Sequence, residues 1–176
     1  MDTLILNLYK INCIKIGTFT LVNGKKTNLN IEFSNLYSYP SYHNIIIYNL
    51  WNILNKLDSN LIINGNNNSI SLVSILSVNH NIPMIFIDNN KDFKKRKFKG
   101  LFDNNNSSTL IYDYIDNKTN IRQIVNHLSL KGININNILT ICDKRTIFSN
   151  NNCNIYSLFN LNEILDFLYK NNILEY

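Results

Sequence analysis

The sequence predicts an α/β fold: a central, mostly parallel sheet flanked by helices, with a small cap formed by the first 40 residues. Three observations carry this expectation. From residue 41 onward, short apolar runs alternate with helical patterns, and such alternation implies parallel strands joined by crossover connections. The 176 residues suit one compact domain, 1–176, able to bury about two-thirds of its unfolded surface. Asparagine fills 36 positions, which in isolation suggests low-complexity sequence, but isoleucine fills 28 and the chain is 45% hydrophobic. A chain so apolar can offset its ordering entropy. The favoured residues have AT-rich codons and alanine is absent, so the bias records a genome more than a fold.

Along the chain, Leu4, Ile5, Leu8 and Ile11 recur at helical spacing. Ile14–Gly17, Phe19–Val22 and Leu29–Phe33 read as short strands, with Asn23-Gly24 as a turn. Pro40 and Ser41 open a helix through Leu57, on which Ile45, Leu50, Ile53, Leu54 and Leu57 can share a face. Leu61–Ile63 is a brief buried strand ending at Asn64-Gly65, Ser69–Val78 a helix and Ile82–Ile87 a strand. Thr109–Tyr112 follows as a strand, then a helix from about Thr119 to Leu130 that Gly132 terminates. Ile135–Cys142 and Asn154–Ser157 are strand-like, and Leu161–Tyr169 is the closing helix. Residues 1–40 fall outside the alternation and read as a cap; 41–176 form the core.

Composition excludes several classes. No apolar run reaches the roughly 18 residues of a membrane span, and the N-terminus has an acid at position 2 with no basic segment before its apolar stretch. Cys13, Cys142 and Cys153 are neither paired nor spaced as metal ligands, and His43, His80 and His127 are equally scattered. The expectation is a cytoplasmic protein without membrane contact or resident cofactor. The net charge of +5 has one source: Lys91–Lys99 holds six basic residues and one acid, leaving eleven of each sign elsewhere. This is a neutral protein with one basic segment. That segment reads as a solvated loop, a diphosphate-binding loop, or a weak anion or nucleic-acid contact with Phe93 and Phe98 available for stacking.

Ligands of such sheets bind at the carboxyl ends of the strands, which selects the loops 64–68, 88–100, 113–120 and 143–152. The third is the most informative. Four apolar residues lead into Asp113, the loop runs DYIDNKT, and a helix follows. Phosphate could meet backbone N–H groups at the helix start, aided by Thr119, and Asp113 could hold ribose hydroxyls. The loop has no glycine to let the backbone approach a phosphate, so a plain strand–loop–helix capped by Thr119, with Asp113 and Asp116 complementing the helix dipole, also fits. Tyr37, Tyr39, Tyr42 and Trp51 read as core or interface packing, and Cys142 as a buried apolar residue.

Across nearly its whole length the chain resembles the orotate phosphoribosyltransferase family, which joins orotate to phosphoribosyl pyrophosphate (PRPP). The pattern Lys15-x-Gly17-x-Phe19-x-Leu21-x-x-Gly24 looks like that family's hood, preceded by its leucine-rich entry helix. NIPMIFIDNNKDFKKRKFKG is similar to its strand and mobile catalytic loop, and TLIYDYIDNKTNIRQIVNHLSLKG to its PRPP motif and following helix. NILTICDKR and NIYSLFNLNEILDFL resemble its last strands and closing helix. The resemblance implies a type I phosphoribosyltransferase fold, a homodimer, and a PRPP and orotate site at Gly24, Lys91, Asp113, Asp116, Thr119 and Lys144.

Against the family's pattern the chemistry is eroded. Where two acids are expected stand Tyr112 and Asp113, and T-x-G-x-[ST] reads Asp116, Asn117, Lys118, Thr119 and Asn120, a lysine replacing the glycine. The hood lysine is Val22, an orotate-contacting arginine is Ser34, and expected basic residues are Ile87, Asp88 and Asn89. Asp143-Lys144 resembles a D-R pair, but the glycine-rich turn after it is missing. Stabilising a departing diphosphate is mainly electrostatic work, and one lost donor alone can cost on the order of 10²–10³ in rate. The resemblance therefore implies an enzyme scaffold without catalysis, serving binding or assembly with a protein partner that the sequence does not name. The alternative is a divergent active enzyme that uses Mg²⁺, with Lys94, Lys95 or Lys97 assisting pyrophosphate departure.

Overall fold

The structure, a computed structural model, describes residues 2–20, 24, 26–88, 90, 96–103, 107–146 and 153–174. It divides into two compact units, Met1–Ile46 with Leu161–Tyr176, and Ile47–Asn160.

The first unit holds helix α1 (Asp2–Lys10), the antiparallel pair β1 (Ile14–Thr20) and β2 (Lys26–Ile31), a 3-10 turn at Ser34–Ser38, the start of α2 (Pro40–Leu54), and α5 (Leu161–Lys170). Leu4, Ile5 and Leu8 of α1 are buried at i, i+1 and i+4, and the helix packs on β1 and α5. At its end Asn12 takes the left-handed conformation (φ 57°) that asparagine tolerates, and the Cys13 N–H donates to the Leu8 carbonyl at 2.8 Å. The two strands expected at Ile14–Gly17 and Phe19–Val22 are one strand as far as Thr20. Its register shifts between Ile16 and Phe19, a bulge at Gly17 (φ 152°) that the sequence signals only as a break.

The second unit is a six-stranded sheet in the order β5-β4-β3-β6-β7-β8. Its strands are β3 (Leu61–Asn64), β4 (Met84–Ile87), β5 (Phe98–Lys99), β6 (Ser107–Ile115), β7 (Asn134–Asp143) and β8 (Asn154–Asn160). All pairings are parallel except β4 with β5. Helix α3 (Ile70–His80) links β3 to β4 and packs on both; α4 (Ile121–Ser129) links β6 to β7 and packs on β7. The central strands β3, β6 and β7 are buried almost throughout, as continuous Ile/Leu runs require of a sheet covered on both faces. In α4, Ile121, Ile124 and Leu128 form the buried stripe, and Gly132 (φ 81°) ends the helix as expected.

Several expected boundaries move. In α2 the buried face is Ile46, Ile47, Leu50 and Leu54, while Ile45 is 40% exposed. Trp51 is half-buried, its ring stacked on His80 with centroids 3.6 Å apart. The strand β5 has no counterpart in the sequence reading. Most consequential, β6 continues to Ile115, so Asp113 lies inside a strand and not in the loop after it.

Candidate functional site

At the carboxyl ends of β3, β6 and β7 stand the buried polar residues Asn64, Asp113 and Asp143. Asn64, fully buried at the end of β3, accepts the Ile87 N–H on Oδ1 (2.7 Å) and donates from Nδ2 to the Ile87 carbonyl (3.0 Å). One side chain thus supplies both ladder bonds where β3 and β4 diverge. Gly65 donates its N–H to the Ile111 carbonyl, and any β-carbon there would overlap the Tyr112 ring.

Asp113 is 1% exposed and its carboxylate is occupied. Oδ1 accepts from Asn66 Nδ2 (2.7 Å) and from the Tyr114 N–H (2.8 Å), and Oδ2 accepts from Asn68 Nδ2 (3.1 Å). Asn66 is itself fixed by a reciprocal pair with Ser69, whose N–H donates to Asn66 Oδ1 and whose hydroxyl donates to the Asn66 carbonyl. The acid aligned with a ribose-holding position therefore clasps the β3 loop to β6.

Asp116 folds back in the same manner on the next loop. Its Oδ1 accepts from the N–H groups of Lys118 and Thr119, both at 2.9 Å, and from Thr119 Oγ1 at 3.0 Å, while Thr119 Oγ1 accepts the Asp116 N–H. Backbone donors that could cradle a phosphate are here spent on a carboxylate of the same loop. Thr119 is not the helix cap; Asn120 is, accepting the Gln123 N–H on its side chain. Asn117 and Thr146 exchange two hydrogen bonds (2.8 and 3.1 Å) and tie this loop to the one after β7.

After β7 the ion pair is made one residue later than the aligned D-R motif. Arg145, not Lys144, grips Asp143, through Nε (2.9 Å) and Nη2 (2.6 Å), with both side chains over nine-tenths buried. Lys144 lays its Nζ 3.5 Å from the centre of the Tyr114 ring. Burial lowers its amine from the usual lysine value, opposed by the nearby carboxylates of Asp116 and Asp113.

The loops after β3 and β6, with Arg96, border a cavity of about 300 Å³ whose walls include Gly65, Tyr112, Asp116, Lys118 and Thr119. The Tyr112 hydroxyl belongs to a buried ring; burial pushes its pKa far up, with Arg96 pulling the other way. Among the residues expected at the site, the structure brings Asp116 and Thr119 to this cavity and sets Asp113 and Lys144 beside its lining residues Tyr112 and Tyr114. Gly24 lies in the first unit (φ 79°). Lys97 is exposed, its carbonyl accepting the Asp88 N–H. Lys91, Lys94 and Lys95 lie outside the described residues, as do Val22 and Asn89. The sequence does not single out Asn66, Asn68, Asn117 or Arg145; each lies in the polar run after a strand, where the abundance of asparagine hides the first three.

The described residues do not fit a directly held Mg²⁺. The position of one motif acid is a tyrosine, the other acid is saturated by amides, and no cluster of three acids, histidines or cysteines forms among the described residues.

No protein-family model matches the sequence. The chain is 25% identical to the orotate phosphoribosyltransferase of Chlamydia felis over 148 residues, covering 82% of this chain and 72% of that one. It is 27% identical to the Chlamydia caviae enzyme of that name over 150 residues, with the same coverage. Among solved structures, it superposes on Leishmania donovani UMP synthase with a TM-score of 0.81 at 17% identity, spanning 99% of this chain but only 39% of that longer one. The orotate phosphoribosyltransferase of Aeropyrum pernix matches with a TM-score of 0.78 at 15% identity, over 98% of this chain and 99% of its own.

Proposed function

Starting from a chain related to orotate phosphoribosyltransferases and sharing the type I phosphoribosyltransferase fold, we propose that it no longer catalyses phosphoribosyl transfer and serves a non-catalytic binding or assembly role. The observation that carries this reading is the internal use of the groups aligned with phosphate and ribose contacts. Asp116 takes the N–H groups of Lys118 and Thr119, and Asp113 is consumed by Asn66, Asn68 and the Tyr114 N–H. A diphosphate leaving group needs donors aimed at the position where charge develops. Here those donors face a fixed carboxylate, and releasing them costs the bonds already made.

The scaffold role includes self-association as a homodimer and contact with a further protein. Lys91–Lys99 contributes a weak, salt-sensitive attraction to anions or nucleic acid. The protein acts in the cytoplasm; no helix among the described residues is long and apolar enough to cross a membrane.

The second reading is a divergent active enzyme making orotidine 5′-monophosphate, favoured by the retained basic segment and the family likeness. In it Lys94, Lys95 or Lys97 assists pyrophosphate departure, and Mg²⁺ arrives bound to PRPP. Incubation with orotate, PRPP and Mg²⁺ decides, read as loss of orotate absorbance. No turnover and no calorimetric heat with PRPP is the expected result. Turnover abolished by Lys95→Ala and Asp113→Ala establishes the second reading instead.

A further inference from the structure

The first unit holds a cleft that the phosphoribosyltransferase likeness leaves unexplained. It has a volume of about 410 Å³, within the roughly 300–1,000 Å³ typical of small-molecule sites, and lies where the end of α1 meets β1. Tyr9, Lys10, Asn12, Lys15 and Phe19 contribute its chemistry, and Ile14 and Ile16 also line it.

The bulge builds this cleft. In a regular strand, side chains three positions apart point to opposite faces, so Phe19 would leave the face of Ile16. Because β1 spends three residues from Ile16 to Phe19 where β2 spends two, from Leu29 to Thr27, Phe19 returns to the face of Ile14 and Ile16. Gly17, at φ 152°, supplies the backbone conformation that this requires. The opposite wall is fixed as well. The turn after α1 is closed by the left-handed Asn12, and Asn35 Nδ2 donates to the carbonyls of Ile11 (3.1 Å) and Asn12 (3.2 Å). Tyr9, Phe19, Lys10 and Lys15 all border this one cleft, and no acid is among its described lining residues.

We propose that this cleft binds a nucleoside monophosphate, its base against Tyr9 and Phe19 and its phosphate at Lys10 and Lys15. Aromatic walls favour a planar ring, the two cations favour an attached anion, and Asn12 offers an amide to polar edges. The site is separate from the cavity of the second unit, and the inference goes beyond the function proposed above.

The test is titration of the full chain with adenosine 5′-monophosphate, followed by ¹H–¹⁵N NMR. Adenosine and ribose 5-phosphate serve as the two half-ligands. Expected are saturable shifts at residues 9–19 with a dissociation constant below about 1 mM, and binding at least roughly tenfold weaker for each half-ligand. Lys10→Glu with Lys15→Glu, and separately Phe19→Ala, should each weaken binding at least roughly tenfold while spectra elsewhere stay unchanged. The proposal is overturned by the absence of saturable shifts, by ribose 5-phosphate binding as well as the nucleotide, or by a charge-reversed variant that binds equally well. Shifts confined to residues 65–124 also overturn it, since they place the nucleotide in the other cavity.

Discussion

Gly65 packs so closely against the ring of Tyr112 that no side chain fits at position 65. The contact joins the first residue after β3 to the middle of β6, at the point where an acid would stand in the family pattern. A bulky ring is compatible with the fold there because its neighbour has no β-carbon.

Gly65→Ala should therefore act as overpacking and cost about 1–3 kcal/mol of stability, measured by urea denaturation. Tyr112→Leu in the same chain should recover part of that loss. A double-mutant cycle with no coupling between the two positions would show that the ring yields freely.

The clasp on Asp113 leads to a second expectation. Asp113→Asn presents an amide where three donors converge, so one N–H faces another, and the loss should be about 1–3 kcal/mol. Asn66→Ala should cost less, since Asn68 and the Tyr114 N–H still satisfy the carboxylate. Chemical denaturation of the three proteins side by side orders them.

Arg145 and Asp143 form a two-point ion pair over nine-tenths buried. Arg145→Ala leaves the carboxylate without its counter-charge and should cost about 3–5 kcal/mol. Arg145→Lys keeps the charge but loses the fork, and should fall between wild type and alanine in a thermal melt.

His43 is 8% exposed and its Nε2 has no hydrogen-bond partner among the described residues. Burial lowers its pKa from the ordinary 6.5, so the folded protein favours the neutral ring. The unfolded chain then binds more protons at mildly acid pH. Stability is full above 6.5 and falls as pH drops below it toward the lowered folded value. Replacing His43 with phenylalanine should flatten urea midpoints measured between pH 7 and 5; an unchanged slope would assign the acid sensitivity to other groups.

The α/β alternation was legible because buried strands of a covered sheet read as short Ile/Leu runs, and α4 because Ile121, Ile124 and Leu128 keep helical spacing. The family likeness was legible in the order of these elements and in the basic segment. The site was legible only in part. Asp113 looked like a loop residue because sequence periodicity ends with an acid, whereas the structure buries that acid within β6 by giving it three donors. The donors themselves, Asn66 and Asn68, belong to a residue type so common in this chain that position alone distinguishes them. Gly17 marked the bulge, but a glycine within a strand pattern does not say whether the strand stops or steps over one residue.

The antiparallel pair Phe86–Lys99 and Ile87–Phe98 ends the sheet with two residues. Without it, the apolar MIFI segment of β4 would present an open row of backbone groups, a template for chain-to-chain pairing. With β5 in place the outermost strand is too short to recruit another, carries exposed Lys99, and breaks off at Gly100, which a β-carbon would force against the Met84 carbonyl. The end of the basic segment thus acts as a guard against aggregation, a duty that would preserve it whether or not any anion is ever bound.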